Sequence, residues 1–190
     1  MMDLIKIQKI DNHSKIKKVL LDSILKNPGV KWTSNNSDKE INYNVSNTDW
    51  QQKKSGIIQN DGSIWDYSEF YVKNIKPYFK KYDFVNCDRI NVHNVWYHQY
   101  LKDDFHGWHV HGECQFASIY YLELPDKKHC TEFYDSINSK LVKFDTEEGD
   151  LIIFPSFIPH QSPKILDNSR KTIISANFSF DYLNKASYEF

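Results

Sequence analysis

Two histidines, His109 and His111, stand two apart in the stretch Phe105-His106-Gly107-Trp108-His109-Val110-His111-Gly112-Glu113. On an extended segment such a pair points to one side, because strand side chains alternate with period two. Both imidazoles can then reach one metal ion. A third donor must come from a distant strand. His160 follows the apolar run Leu151-Ile152-Ile153-Phe154 and so stands at the mouth of a buried strand. Arg170 comes ten positions after it and opens another strand-like run, Lys171 to Phe178. An imidazole cluster backed by a fixed guanidinium suits iron together with a dicarboxylic acid.

The elements that must position these residues are mostly strands. After Asp83 the periodicity predicts strands near 89–100, 105–111, 115–123, 131–135, 140–145, 150–155 and 171–180, separated by turn formers such as Pro125-Asp126-Lys127. Ahead of them, residues 4–10 read as a short edge strand. Ser14 reads as the cap of a helix carrying Ile16, Leu20 and Ile24. Residues 30–62 are polar and read as a long surface loop with at most one short strand or helical turn. The strongest helix runs from Ile64 to Tyr82, with Tyr67, Phe70, Tyr71, Ile75 and Phe79 on one face and Pro77 expected to kink or split it. The fold class is therefore mainly β with flanking helices, a jelly roll buttressed on one side.

Bulk properties narrow the function. At 190 residues and net charge −1, the chain is expected to form one domain with no global field drawing it to nucleic acid or a membrane. Residues 1–88 would be a supporting region and 89–182 the β core. Cys87, Cys114 and Cys130 show no paired spacing, which argues against a disulfide framework or a thiolate zinc site. The start lacks the apolar core of a signal peptide, so a soluble, cytoplasmic protein is the expectation.

The ordered set Tyr100, His109-Val110-His111, Ser118-Ile119-Tyr120-Tyr121-Leu122, Gly149-Asp150-Leu151-Ile152-Ile153-Phe154-Pro155, His160 and Arg170 resembles the iron(II)- and 2-oxoglutarate-dependent oxygenases. The resemblance covers about residues 90–182 and is nearest to the prolyl-hydroxylase-like branch and the small oxygenases of bacteria and phages. It implies a double-stranded β-helix, and Fe(II), 2-oxoglutarate and O2 as metal, co-substrate and oxidant. It further implies His109 and His160 as metal ligands, Arg170 as the clamp on the far carboxylate of 2-oxoglutarate, and Tyr121 and Tyr100 as its hydrogen-bonding partners. Strand periodicity places Ala117, Ile119 and Tyr121 on one face, and Arg170, Thr172, Ile174 and Ala176 on another, with Lys171 turned away from the site.

One position departs from that family. The usual motif is H-x-D or H-x-E, and here the carboxylate position is His111. Either His111 itself ligates, or Glu113 folds back to complete the site, or iron binding is weakened and the fold serves another purpose. A non-catalytic ligand- or partner-binding domain and a three-histidine cupin-type dioxygenase without 2-oxoglutarate are the rival readings. Taken alone, His109 and His111 could equally be polar residues of an outward strand face. His98 reads as a satisfied hydrogen-bonding residue, His106 as a non-ligand, His93 and His129 as surface residues, and Trp108 as packing outside the barrel. The substrate is undefined, whether a peptide residue or a small molecule, and residues 30–62 with the aromatic helix offer surface for a homodimer.

Overall fold

The computed structural model describes residues 1–26, 28–34, 42–51, 65–82, 87 and 89–181. Eleven strands form one antiparallel sheet among these residues: β1 (Lys6–Lys9), β2 (Val30–Thr33), β3 (Tyr43–Thr48), β4 (Arg89–Tyr100), β5 (Phe105–His109), β6 (Phe116–Glu123), β7 (Glu132–Asp135), β8 (Lys140–Lys143), β9 (Asp150–Pro155), β10 (His160–Ser162) and β11 (Lys171–Asp181). Their order is β1-β9-β6-β11-β4-β3-β5-β10-β7-β8, with β2 pairing on β3. The sheet curls so that its two faces bury different cores.

The outer face is covered by α1 (His13–Lys26) and α2 (Trp65–Phe79). Ile16, Leu20 and Ile24 of α1 recur every fourth residue and are buried, as are Tyr67, Tyr71, Ile75 and Phe79 of α2. Spacing of four keeps each set on one stripe. Those stripes meet Tyr97 of β4, Tyr120 and Leu122 of β6, Leu151 and Ile153 of β9, and Ile174 and Ala176 of β11. Phe79 stacks on Phe178 at 4.1 Å between ring centres. α2 runs through Pro77 as far as Phe79 and then tightens into a 3-10 turn over Lys80–Tyr82. Ile64, where the expected helix begins, lies outside the described residues.

The inner face carries the alternate residues: Ala117, Ile119 and Tyr121 of β6, Ile152 and Phe154 of β9, and Ile173 of β11. Because β11 and β9 are buried on both faces, neither shows the apolar–polar alternation of a half-exposed strand. The register of β11 on β4 decides what faces inward: Lys171 opposes Tyr100, Ile173 opposes His98, Ser175 opposes Trp96 and Asn177 opposes Asn94. These four rungs run along the two strands and span roughly 20 Å at about 3.4 Å per residue.

Two strands occupy the stretch expected to be loop. β2 and β3 are short and polar, and are held by contacts that hydropathy does not register. Trp32 stacks on Tyr43 at 3.9 Å. Asp104, almost fully buried, accepts from Asn44 Nδ2 and from the backbone of Ser46 and Leu101, each at 2.8–2.9 Å. Residues 35–41 and 52–62 of that stretch lie outside the described residues.

Candidate metal and keto-acid site

β5 and β10 are antiparallel neighbours in which His109 lies directly opposite His160. Directly opposed strand residues have Cβ atoms about 5 Å apart, and the two rings here are 4.2 Å apart between centres. His111 lies just past the end of β5, its backbone N–H held by Ser156 O at 2.9 Å. Its ring is 5.4 Å from that of His109 and 5.1 Å from that of His160. One nitrogen from each of the three lies within 4.8 Å of the others, close enough to share a metal ion.

The other nitrogen of each ring is already committed. His109 Nδ1 donates to Gly107 O at 2.8 Å, His160 Nδ1 to Ile158 O at 3.0 Å, and His111 Nδ1 to Asn177 Oδ1 at 2.7 Å. An imidazole whose Nδ1 proton is held by an oxygen keeps its Nε2 lone pair free for a metal. Burial pushes the pKa of His109 down to about 4 and that of His160 well below the usual range, and it lowers that of His111 against the opposing bond to Asn177. All three are therefore neutral near pH 7, the state that metal binding needs.

Glu113 does not join them. It is exposed on the loop between β5 and β6 and lies on the wall of the adjoining cavity. Cys114, half-buried, also lies outside the three-histidine group. Of the two neighbouring histidines, His106 stacks on His109 at 3.9 Å. His98 accepts a hydrogen bond at Nε2 from Trp96 Nε1, at 3.0 Å. An indole can only donate, so the His98 proton sits on Nδ1, which is buried without a partner among the described residues. His129, expected at the surface, is buried beneath the 3-10 turn that holds it, whereas His93 is exposed. Trp108 is partly exposed outside the barrel, edge-on to Tyr134.

The three histidines border a cavity of about 480 Å³ whose wall also includes Trp32, Trp50, Trp96, His98, Tyr100 and Thr131. Tyr100 and Tyr121 are both buried, and burial raises both phenol pKa values, so each stays protonated. Tyr121 reaches the cavity only through Thr131: its hydroxyl donates to Thr131 Oγ1 at 2.9 Å and accepts from the Thr131 backbone at 2.7 Å.

Arg170 is placed differently from the expectation. Its guanidinium grips Glu123 on the outside of the barrel, Nε to Oε2 at 2.9 Å and Nη2 to Oε1 at 2.6 Å, with the side chain 43% exposed. The side chain that turns inward is its neighbour Lys171, which is fully buried. Lys171 Nζ donates to Ser162 Oγ at 2.6 Å and to His129 O at 2.9 Å, and lies 4.7 Å from the centre of the Tyr100 ring. Ser162 and Tyr100 line the cavity. Among the described residues no carboxylate pairs with this ammonium, and burial pushes its pKa down to about 7. The physical reason for the exchange is register: Tyr100 faces inward, and Lys171, not Arg170, is its partner on β11. The expected grouping of Arg170 with Thr172, Ile174 and Ala176 is correct as a face, but Ile174 and Ala176 face the helices.

Comparison with known proteins gives the fold a name. No family model and no curated protein sequence matches the chain. Among solved structures it is similar to a prolyl hydroxylase of Trichoplax adhaerens in complex with a hypoxia inducible factor peptide fragment, at TM-score 0.61 and 14% identity over 98% of this chain and 87% of that one. It is similar to HygX of Streptomyces hygroscopicus with nickel and 2-oxoglutarate bound, at TM-score 0.60 and 8% identity over 93% of this chain and 83% of that one. A viral collagen prolyl hydroxylase of Paramecium Bursaria Chlorella virus-1 in its 2-oxoglutarate complex matches at TM-score 0.52 and 13% identity, over 90% and 94% of the two chains. The fold is the double-stranded β-helix of the 2-oxoglutarate oxygenases. No described helix of this chain is long and apolar enough to cross a membrane.

Sequence reasoning missed Lys171, Ser162, Thr131 and Asn177. Asn177 and Lys171 share parity on β11, so placing either one inside would have placed the other. Ser162 belongs to a strand of three residues, too short to leave a periodic trace.

Proposed function

We propose that the chain is an iron(II)- and 2-oxoglutarate-dependent dioxygenase that oxidises a C–H bond of its substrate. One observation carries the reading: a fully buried lysine, Lys171, which no carboxylate pairs among the described residues, stands behind Ser162 and Tyr100 on the wall of the cavity that three neutral, converging imidazoles border. A buried cation that no carboxylate contacts among the described residues is costly, and an anion bound beside the three histidines would offset that cost. A two-headed acid meets that demand.

The donor set fits the metal. Three imidazoles suit iron or zinc equally well, and Lys171 tips the choice towards a metal that works with a dicarboxylate. With no carboxylate in the set, the site keeps one more positive charge than two histidines and an aspartate would leave. The bound keto acid then supplies the balancing anion.

Each residue has a task. His109, His111 and His160 would hold the metal through the nitrogens left free, each ring being fixed by its own Nδ1 bond. Lys171 and Tyr100 would receive the far carboxylate, with Ser162 orienting the ammonium. Tyr121 fixes Thr131, whose side chain lies on the cavity wall. The apolar side chains of Ile119, Phe154 and Ile173 limit water in the inner half. When bound, iron and 2-oxoglutarate supply the oxidation itself, with oxygen consumed and the keto acid leaving as succinate and carbon dioxide.

The test is conversion of 2-oxoglutarate to succinate by the full chain with iron(II) and oxygen. The reading expects iron-dependent conversion that His160→Ala abolishes. A cupin-type dioxygenase would make no succinate, and a non-catalytic domain would consume neither reagent.

A further inference from the structure

The cavity has two chemically opposite ends. Lys171 and Tyr100 form the inner rung, and Asn177 and Asn94 the outer one. The loop from Val110 to Gln115 crosses the outer end, since Gln115 Oε1 accepts from the Phe180 backbone at 2.9 Å and His111 is tied to Asn177. Glu113 lies on this loop and, among the described residues, is the only carboxylate on the cavity wall, which no lysine or arginine lines. Among the described residues it makes no ion pair and takes no part in the metal group.

Two indoles line the same cavity next to the histidine cluster. Trp50 lies against Trp96 at 4.6 Å between ring centres, and Trp96 stacks over His111 at 5.8 Å. Both indoles line the cavity. Indole faces attract cations electrostatically, and more strongly where water is excluded. A carboxylate that lines the same cavity as such faces selects positive charge and repels a second keto acid bound the wrong way round.

We propose that the substrate carries an organic cation, an alkylated ammonium or a guanidinium, held by Glu113 and the indole of Trp50, which Trp96 backs. This rests on the oxygenase reading for what is done to the substrate, and adds the chemistry by which it is chosen. Glu113 thus has a task that does not require it to be a ligand.

The test is calorimetry on the full chain, with and without manganese(II) and 2-oxoglutarate, using choline and its uncharged tert-butyl analogue as probes. Choline is expected to bind about tenfold tighter than the analogue, with that preference lost in Glu113→Gln and reduced in Trp50→Leu. Glu113→Lys should remove choline binding. Equal binding of the two probes, or indifference of choline to all three substitutions, overturns the proposal. Choline binding through Glu113 in a chain that holds no metal would support this inference while removing the oxygenase reading. Metal and keto-acid binding with no preference between probes would overturn this inference alone.

Discussion

His111 Nδ1 donates to Asn177 Oδ1 across 2.7 Å, joining the loop after β5 to the far end of β11. The two residues are far apart in the chain, and the bond fixes both the tautomer and the tilt of the one imidazole that stands where a carboxylate is usual. His109 and His160 are fixed by carbonyls within two residues of themselves. His111 alone depends on a side chain from another strand.

Asn177→Ala should therefore weaken the metal site while sparing the fold. Removing such an outer partner costs about 10–100-fold in metal affinity. Competition with a calibrated chelator measures it. An unchanged affinity would show that the bond does not set the third donor.

Gly107→Ala should harm the same site from the other side. A Cβ at Gly107 would lie 2.0 Å from Asn42 Oδ1 and 2.7 Å from the Asn42 carbonyl, which itself accepts from Gly107 N–H. The backbone must shift, and with it the carbonyl that holds His109 Nδ1. Metal affinity should fall by about tenfold or more, read by the same competition.

Arg170 and Lys171 should differ in stability as they do in placement. Arg170→Ala removes a partly exposed ion pair and should cost no more than about 1 kcal/mol in a urea melt. Lys171→Met removes an unpaired buried charge and should leave the ligand-free protein equally or more stable, since an apolar side chain of similar volume fills the space.

The pH dependence follows from two groups of opposite use. The Lys171 pKa lies near 7 in the folded chain and near about 10.4 unfolded, so between these values the unfolded chain binds more protons. Stability of the ligand-free protein should climb with pH through that window. Keto-acid binding needs the ammonium, so its affinity should fall about tenfold per unit above pH 7. His109, lowered to about 4, acts at the acid end: stability should drop as pH falls from about 6.5 towards 4. Thermal melts and calorimetry across pH 4–9 would check all three slopes.

Much of the barrel was legible because its strands announce themselves. β4 and β9 run over 89–100 and 150–155, as their β-branched and aromatic content between turn formers predicts. β3, Tyr-Asn-Val-Ser-Asn-Thr, was illegible because it is held by side-chain amides and Asp104 rather than by apolar alternation. His109 and His111 reach one side as their spacing of two predicts, although β5 ends at His109 and His111 is held there by Ser156 and Asn177, while His160 joins them because β10 pairs with β5. Arg170 against Lys171 is a choice of parity on a strand buried on both sides, and only the register with Tyr100 resolves it. Asn177 and Thr131 act through another residue, and such support leaves no local motif.

The account's central claim is that one anion spans from the three histidines to Lys171. Calorimetry of 2-oxoglutarate against one-headed pyruvate, on manganese-loaded wild type, Lys171→Met and Arg170→Ala, tests it most directly. The account predicts that wild type and Arg170→Ala prefer 2-oxoglutarate by about tenfold or more, and that Lys171→Met binds the two acids alike. Retention of the preference in Lys171→Met, or its loss in Arg170→Ala, would contradict the claim.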